Sequence, residues 1–310
     1  MKTIKYKPKH QAAAQKACQK LDSTLVEHPR FCEIKKRIEG ELLYPSDIRF
    51  LLIVGPTGVG KTRMLTTTKK MIEDMTELEV LANPGHIPSI SLSVPLPSVG
   101  QRFSWNDFFC KYLDGLEAPE FSHAPALPKP DPRRNLQNTV TNALKHRKPT
   151  AVLLDEANHF ASATKPKVLL DQTNRLKAFV DEAKTLHIGF GTYDAAKMAS
   201  LSGQLTRRIE VIHFGRYRAE VEHDRKVFKA IIRNYQKHIP IAHHFDLPSH
   251  CAYLHERTIG CVGILKEWLK KALTHAYQEE RTGIELKDLQ ATADSTHDVM
   301  VRLNEALNSE

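Results

Sequence analysis

Short apolar runs alternating with longer amphipathic stretches set the rhythm of this chain. Five runs have strand length: "RFLLIV" at 49 to 54, "PSISLSV" at 88 to 94, "AVLL" at 151 to 154, "LHIGF" at 186 to 190 and "IEVIHF" at 209 to 214. Helix-length segments separate most of them, the pattern of an α/β domain with a parallel sheet. From about residue 216 no strand-like run recurs. There "EVEHDRKVFKAIIRNYQ" and "VGILKEWLKKALTHAY" repeat apolar residues three and four apart, which predicts a helical subdomain to about 290 and a frayed polar tail beyond it. Residues 118 to 132, "APEFSHAPALPKPDP", hold five prolines and are expected to form a loop between the second and third strands. A loop of that length is often functional. No internal repeat is present.

Length and composition narrow the class. At 310 residues the chain can bury a full core and a second, smaller one. Hydrophobic residues make up 41% of it, but the longest apolar runs fall far short of the ~20 residues of a membrane span. The first twenty residues carry six lysines and no apolar centre, so they resemble no secretory signal, and a cytoplasmic protein without a membrane is expected. Five cysteines without a C-x-x-C pair read as free thiols. Sixteen histidines, densest in "AHHFDLPSHCAYLH", match no common zinc spacing.

The net charge of +9 favours a polyanionic partner without identifying it. Its distribution says more. Lys2, Lys5, Lys7, Lys9, Lys16 and Lys20 precede any acid, and Lys129, Arg133, Arg134, Lys145, Arg147 and Lys148 share their stretch with Asp131 alone. Phosphate contacts and solvated faces both fit these two regions.

The chemistry begins in "LLIVGPTGVGKT". Gly55, Pro56, Thr57, Gly58, Val59, Gly60, Lys61 and Thr62 satisfy G-x-x-x-x-G-K-[ST] between a strand and the helical "TRMLTTTKKMIEDM". Glycines let successive N–H groups curl around phosphate, lysine reaches the β and γ oxygens, and the threonine hydroxyl takes Mg²⁺, so ATP and Mg²⁺ are the expected cofactors. A second element, "AVLLDEANHF", brings Asp155 and Glu156 to the carboxyl end of a strand. Asp155 is placed to hold Mg²⁺, and Glu156 to orient and deprotonate water. That adjacent base suits an ATPase better than a small-molecule kinase.

Together these segments resemble the AAA+ ATPases and, within them, the TniB/TnsC-type transposition regulators. The resemblance spans roughly residues 25 to 280. It rests on "EHPRF", "LLIVGPTGVGKT", "AVLLDEANHF", "IGFGTYDAA", "LTRRIEVIHF" and "IGCVGILKEWLKKAL". It implies a basic N-terminal arm and helical segment over 1–45, an AAA+ nucleotide-binding α/β domain over 46–215, a helical lid over 216–290 and a C-terminal tail over 291–310. It further implies a homo-oligomer, ring or helical filament, that assembles on double-stranded DNA with ATP and links a target-selection protein to a transposase.

Residue by residue, the resemblance makes Thr192 a polar sensor near the γ-phosphate and Arg207 the arginine finger supplied to a neighbour, with Arg208 as the adjacent alternative. It turns the "PLPSVGQRFSWNDFF" loop toward DNA, with Gln101 and Arg102 as contacts and Lys129, Arg133 and Arg134 as further ones. Phe103, Trp105, Phe108 and Phe109 in the same stretch read as core of a helix start. One departure stands out. Many AAA+ lids carry an arginine in a G-x-x-R segment, whereas counting from Gly260 reaches Gly263 and counting from Gly263 reaches Lys266. A lysine lacks the planar fork that grips phosphate oxygens in pairs, which favours slow hydrolysis or a role based on ATP-bound assembly. Two other readings stay open: a P-loop switch in signalling or defence that binds protein, and a small-molecule kinase.

Overall fold

The computed structural model describes residues 8–97, 103–117, 132–162, 166–200 and 208–307. They fall into two compact units: Glu33–Gly55 with Lys61–Phe214, and Met1–Cys32 with Pro56–Gly60 and Gly215–Glu310.

The first unit is a five-stranded sheet. Its strands are β1 (Phe50–Val54), β2 (Ser89–Ser93), β3 (Ala151–Asp155), β4 (Leu186–Gly191) and β5 (Ile209–His213). All pairings are parallel, in the order β2-β3-β4-β1-β5. Each strand falls on one of the five apolar runs. β1 lies between β4 and β5 and is buried at every position, which is why "FLLIV" is continuously apolar rather than alternating. In register, Val54 stands beside Gly191 and Ser93 beside Asp155, so the chemically distinctive residues meet at one edge.

Helices α3 (Lys61–Ala82), α4 (Trp105–Gly115), α5 (Pro132–Arg147), α6 (Pro166–Ala183) and the short α7 (Ala196–Ser200) cover the sheet, joined by α2 (Pro29–Leu43) from Glu33 onward. Ser104 starts α4, its Oγ accepting the Asp107 N–H at 3.2 Å. Phe103, Trp105, Phe108 and Phe109 are buried with Tyr112, Phe160 and Phe179, so this stretch packs as core. The expected proline-rich loop lies outside the described residues except for its last residue, Pro132, which opens α5 at the position a helix tolerates best.

The second unit is helical: α1 (Pro8–Ser23), α8 (Glu222–His238), α9 (Cys251–Thr258), α10 (Val262–Gln278), α11 (Leu286–Thr292) and α12 (Thr296–Leu307). Leu21, Phe228, Ile232, Leu265, Leu269 and Leu273 form its centre. Acids inside it are neutralised in place. Asp288 has no exposed side-chain surface and receives both Arg281 and His275, while Asp224 takes Arg30 at 2.8 Å and the Arg218 N–H at 2.8 Å.

Two sequence expectations change here. Residues 8–23 are no solvated arm, because Ala17, Cys18 and Leu21 share a face that packs into this core. The frayed tail expected after about 290 is helix α12, capped by the Ser295 Oγ and burying Val299 and Ala306 at helical spacing.

Candidate nucleotide-binding site

The chain leaves β1 at Gly55 and enters α3 at Lys61, and the residues between form a tight loop closed by the Val59 N–H on the Pro56 carbonyl at 3.4 Å. Gly58 and Gly60 have φ of 82° and 117°, conformations that L side chains rarely adopt. With no Cβ there, backbone N–H groups line the turn and the start of α3 adds its positive end, the donor set a phosphate chain requires. Lys61 opens α3 with its Nζ on the Gly55 carbonyl at 2.8 Å. Thr62, next in the helix, is exposed.

Within the helical unit the Gly58 carbonyl accepts the Ile264 N–H of α10 at 3.2 Å. A Cβ on Gly263 would lie 2.5 Å from that same oxygen, so the approach requires glycine. Lys266, which stands where a lid arginine was sought, directs its ammonium to the carbonyls of Asp22 at 2.8 Å and Thr24 at 3.1 Å. Its charge serves the chain between α1 and α2.

The acidic element is built by the sheet. Asp155 ends β3 half-buried and accepts the Glu156 N–H at 2.9 Å on Oδ1. Burial pushes its pKa above the ordinary carboxylate value, helped by the charge of Glu156 and opposed by that of Lys61. The Asp155 carboxylate and the Thr62 hydroxyl are hard oxygen donors, of the kind that could hold Mg²⁺.

Glu156 is exposed and left-handed, with φ 54° and ψ 40°. A glutamate in that region costs about 1–2 kcal/mol of strain. The kink turns the chain off β3 into a short 3-10 turn, Ala157–Ala161, and leaves the Glu156 side chain at the open edge.

Because β4 lies between β3 and β1, its end falls between the acids and the end of β1. Thr192 follows β4 directly, its N–H donating to Asn158 Oδ1 at 3.2 Å, while the Gly191 carbonyl accepts the Gly55 N–H at 3.2 Å. Sequence reasoning passed over Asn158 and His159, although both stand in "DEANHF". His159 donates from Nδ1 to the Val94 carbonyl at 2.8 Å.

The remaining candidates are distributed differently. Gln101, Arg102, Lys129 and Arg207 lie outside the described residues, and Arg133 and Arg134 occupy the first turn of α5, where only the backbone is described. Arg208 pairs with Asp181 of α6 at 3.5 Å, an intramolecular contact.

Comparison with known proteins agrees with this geometry. Residues 46–199 match the AAA domain family. None of the curated proteins matches the sequence. Among solved structures, the ORC1 protein of Aeropyrum pernix in complex with DNA is similar at 13% identity and TM-score 0.59, over 86% of this chain and 65% of that one. The ORC2 protein of the same organism, in ADPNP-ADP complexes, is similar at 12% identity and TM-score 0.54, over 91% and 73%. Cdc6p from Pyrobaculum aerophilum is similar at 14% identity and TM-score 0.58, over 88% and 69%. This chain thus spans 65% of the length of the first of them, under two thirds. At such identities the likeness establishes the fold. The P-loop sequence between β1 and α3, the acid pair ending β3 and the match to the AAA domain family over residues 46–199 agree on one fold, a parallel-sheet P-loop domain of the AAA+ kind followed by a helical region.

Proposed function

We propose that this chain is an ATPase and a DNA-bound assembly factor of the TniB/TnsC type, which oligomerises with ATP on duplex DNA and passes a target to a transposase. The observation that supports the nucleotide half is the strand order β3-β4-β1, which brings the ends of these three strands, and with them Asp155, Glu156, Thr192 and Gly55, to one edge of one sheet. The segments quoted above carry the transposition half. Lys61 and the loop 55–60 would hold the phosphates of ATP, with Thr62 and Asp155 taking Mg²⁺. Bound there, the cation neutralises charge on the phosphates. Glu156 orients a water and accepts its proton, and Thr192 fixes the polar end of β4 beside it. Arg207, or Arg208 if its pair with Asp181 opens, would complete a neighbouring subunit's site.

DNA is held by phosphate contacts from Gln101, Arg102, Lys129, Arg133 and Arg134, which give affinity without base readout and a steep salt dependence. The fold shared with a chain solved in complex with DNA favours this reading over a signalling switch that binds protein.

Electron microscopy with plasmid DNA and ATP tests the reading. Wild-type protein is expected to form ordered assemblies on DNA. Lys61→Ala should lose nucleotide binding and assembly together, whereas Glu156→Gln should keep both and stop hydrolysis. Hydrolysis by Glu156→Gln at the wild-type rate removes Glu156 as the base, and assembly on DNA without nucleotide removes the ATP-dependent mechanism. Transposition in a reconstituted system with and without the chain decides the finer assignment.

A further inference from the structure

Helix α8 divides its residues by face. Phe228, Ile231, Ile232 and Tyr235 are buried in the core of the helical unit. On the opposite side Lys226, Lys229, Arg233 and Lys237 are all exposed. Spacings of three, four and four residues keep these cations in one stripe of the helix surface. At 1.5 Å per residue the stripe runs straight for about 16 Å.

The row is of one sign. From Arg225 to Phe245 the sequence holds five lysines and arginines and no acid. Glu222, one turn ahead, pairs with Lys226 at 2.7 Å, and Asp246, beyond the helix, accepts from Gln236 Nε2 at 3.2 Å. Among the described residues no carboxylate pairs with Lys229, Arg233 or Lys237. Lys237 lies in the last turn, where a cation answers the helix dipole. Lys229 and Arg233 stand further in, where that benefit has faded. Each successive pair among the three is a like-charge pair four residues apart, which destabilises a helix, and a bound polyanion removes that repulsion.

What the row lacks narrows its occupant. Ala230 is the one apolar residue among the exposed positions of α8. A helix that lies on a membrane sets large apolar side chains beside its cations, and a protein interface is anchored by aromatic or aliphatic groups. A face of cations alone suits a ligand that presents charge at regular intervals, the phosphate backbone of a nucleic acid. Arg233, in the middle, adds the planar fork that grips phosphate oxygens in pairs.

We propose that Lys229, Arg233 and Lys237 of α8 form a contact surface for the phosphate backbone of duplex DNA. The inference rests on the DNA-binding reading above and adds a second contact region, carried wholly by the helical unit. Its contribution is affinity without base readout.

The test uses the full chain with ATP and a labelled duplex, and reads affinity by fluorescence anisotropy from about 50 to 200 mM salt. Each phosphate contact adds about 0.9 to the slope of log affinity against log salt, so Lys229→Gln, Arg233→Gln and Lys237→Gln together should lower the slope by about 3 for each subunit engaged. Over that rise in salt wild type then loses about fortyfold more affinity than the triple variant. Arg233→Gln alone should lower the slope by about 1. Glutamine forms helix as readily as lysine and arginine, so melting temperature and ATP affinity should stay at the wild-type values. Lys229→Arg with Lys237→Arg should keep the slope. So should Lys36→Gln, Lys69→Gln and Lys70→Gln together, which remove an equal charge from exposed positions of the sheet unit.

Wild-type affinity and slope in the triple variant, with DNA binding by wild type, overturn this surface and leave the DNA reading standing. An equal fall in the sheet-unit variant also overturns it, since net charge alone would then be at work. If wild type binds no duplex, the DNA reading and this surface fail together. Binding to phosphatidylserine vesicles that the triple variant loses, without an effect on DNA, assigns the row to a membrane surface and overturns the proposal.

Discussion

The acids that end β3 and the acids buried in the helical unit are arranged for opposite ends. In the sheet unit Asp155 stands half-buried at a strand end with its pKa raised by burial, and Glu156 beside it is exposed on strained backbone. In the helical unit Asp288 is fully buried, yet Arg281 and His275 hold its pKa below the ordinary value despite burial that would raise it. In the same unit Asp224 accepts from Arg30 and from the Arg218 N–H. The acid pair that ends β3 has no ion pair among the described residues, whereas the buried acids of the helical unit are closed by cations of that unit.

The largest effect that tests this contrast is expected at Asp288. Its alanine variant takes the buried acceptor away from Arg281 and His275 and removes the cap of α11, where Glu285 and Asp288 satisfy each other's backbone N–H groups. Losing a charge-assisted hydrogen bond together with a helix cap costs about 2–4 kcal/mol. Asp155→Asn, by contrast, removes a charge that burial disfavours and should not lower the melting temperature. Denaturant titration of both variants compares them directly, and similar losses at the two positions would dissolve the distinction.

Each unit also encloses a neutral histidine. His28 in the helical unit and His187 in the sheet unit both have pKa lowered from 6.5 to about 4, chiefly by burial. His28 Nδ1 accepts the Phe31 N–H and the Tyr217 hydroxyl, which fixes its proton on Nε2. Since the unfolded chain protonates near 6.5 and the folded one near 4, stability is complete above the upper value. It falls as pH drops through this window, by about 3 kcal/mol for each histidine. Urea unfolding from pH 7 to pH 4 should show the slope. His28→Gln and His187→Phe should each flatten it by about half, and an unchanged slope would place the titration elsewhere.

The smallest expected effect lies at Glu156. Glycine there relieves the left-handed strain, offset by its own chain entropy, for a net gain of about 1 kcal/mol or less. Hydrolysis should be lost at the same time. A rise in melting temperature together with an inactive site is the expected signature, and a fall would mean that the Glu156 side chain contributes to the fold.

What the sequence showed of this arrangement followed from how local each signal is. Five apolar runs of strand length located five strands, since burial of β1 between β4 and β5 demands a continuous apolar stretch. The P-loop was readable because its glycines encode their own backbone geometry. Net charge misled at both ends of the helical unit, where lysines around Ala17, Cys18 and Leu21 hid a core-facing stripe and polar residues around Val299 and Ala306 hid another. The partners of Lys266 and His159 are backbone carbonyls, which leave no trace in residue identity, so the loss of Lys266 to Asp22 and Thr24 was invisible. So was the link from His159 to Val94.

Helix α1 limits where the polypeptide can be opened. Leu21 is fully enclosed with Leu265 and Leu269, Cys18 Sγ approaches Thr274 Oγ1 at 3.5 Å, and Lys270 ties to Asp22 at 2.7 Å. A protease cut or a fused tag ahead of Pro8 spares this wall. A cut after Ser23 takes the wall away, baring aliphatic surface on α10 that was shaped to be covered, and the shortened product should clump with its own kind before any question of DNA arises.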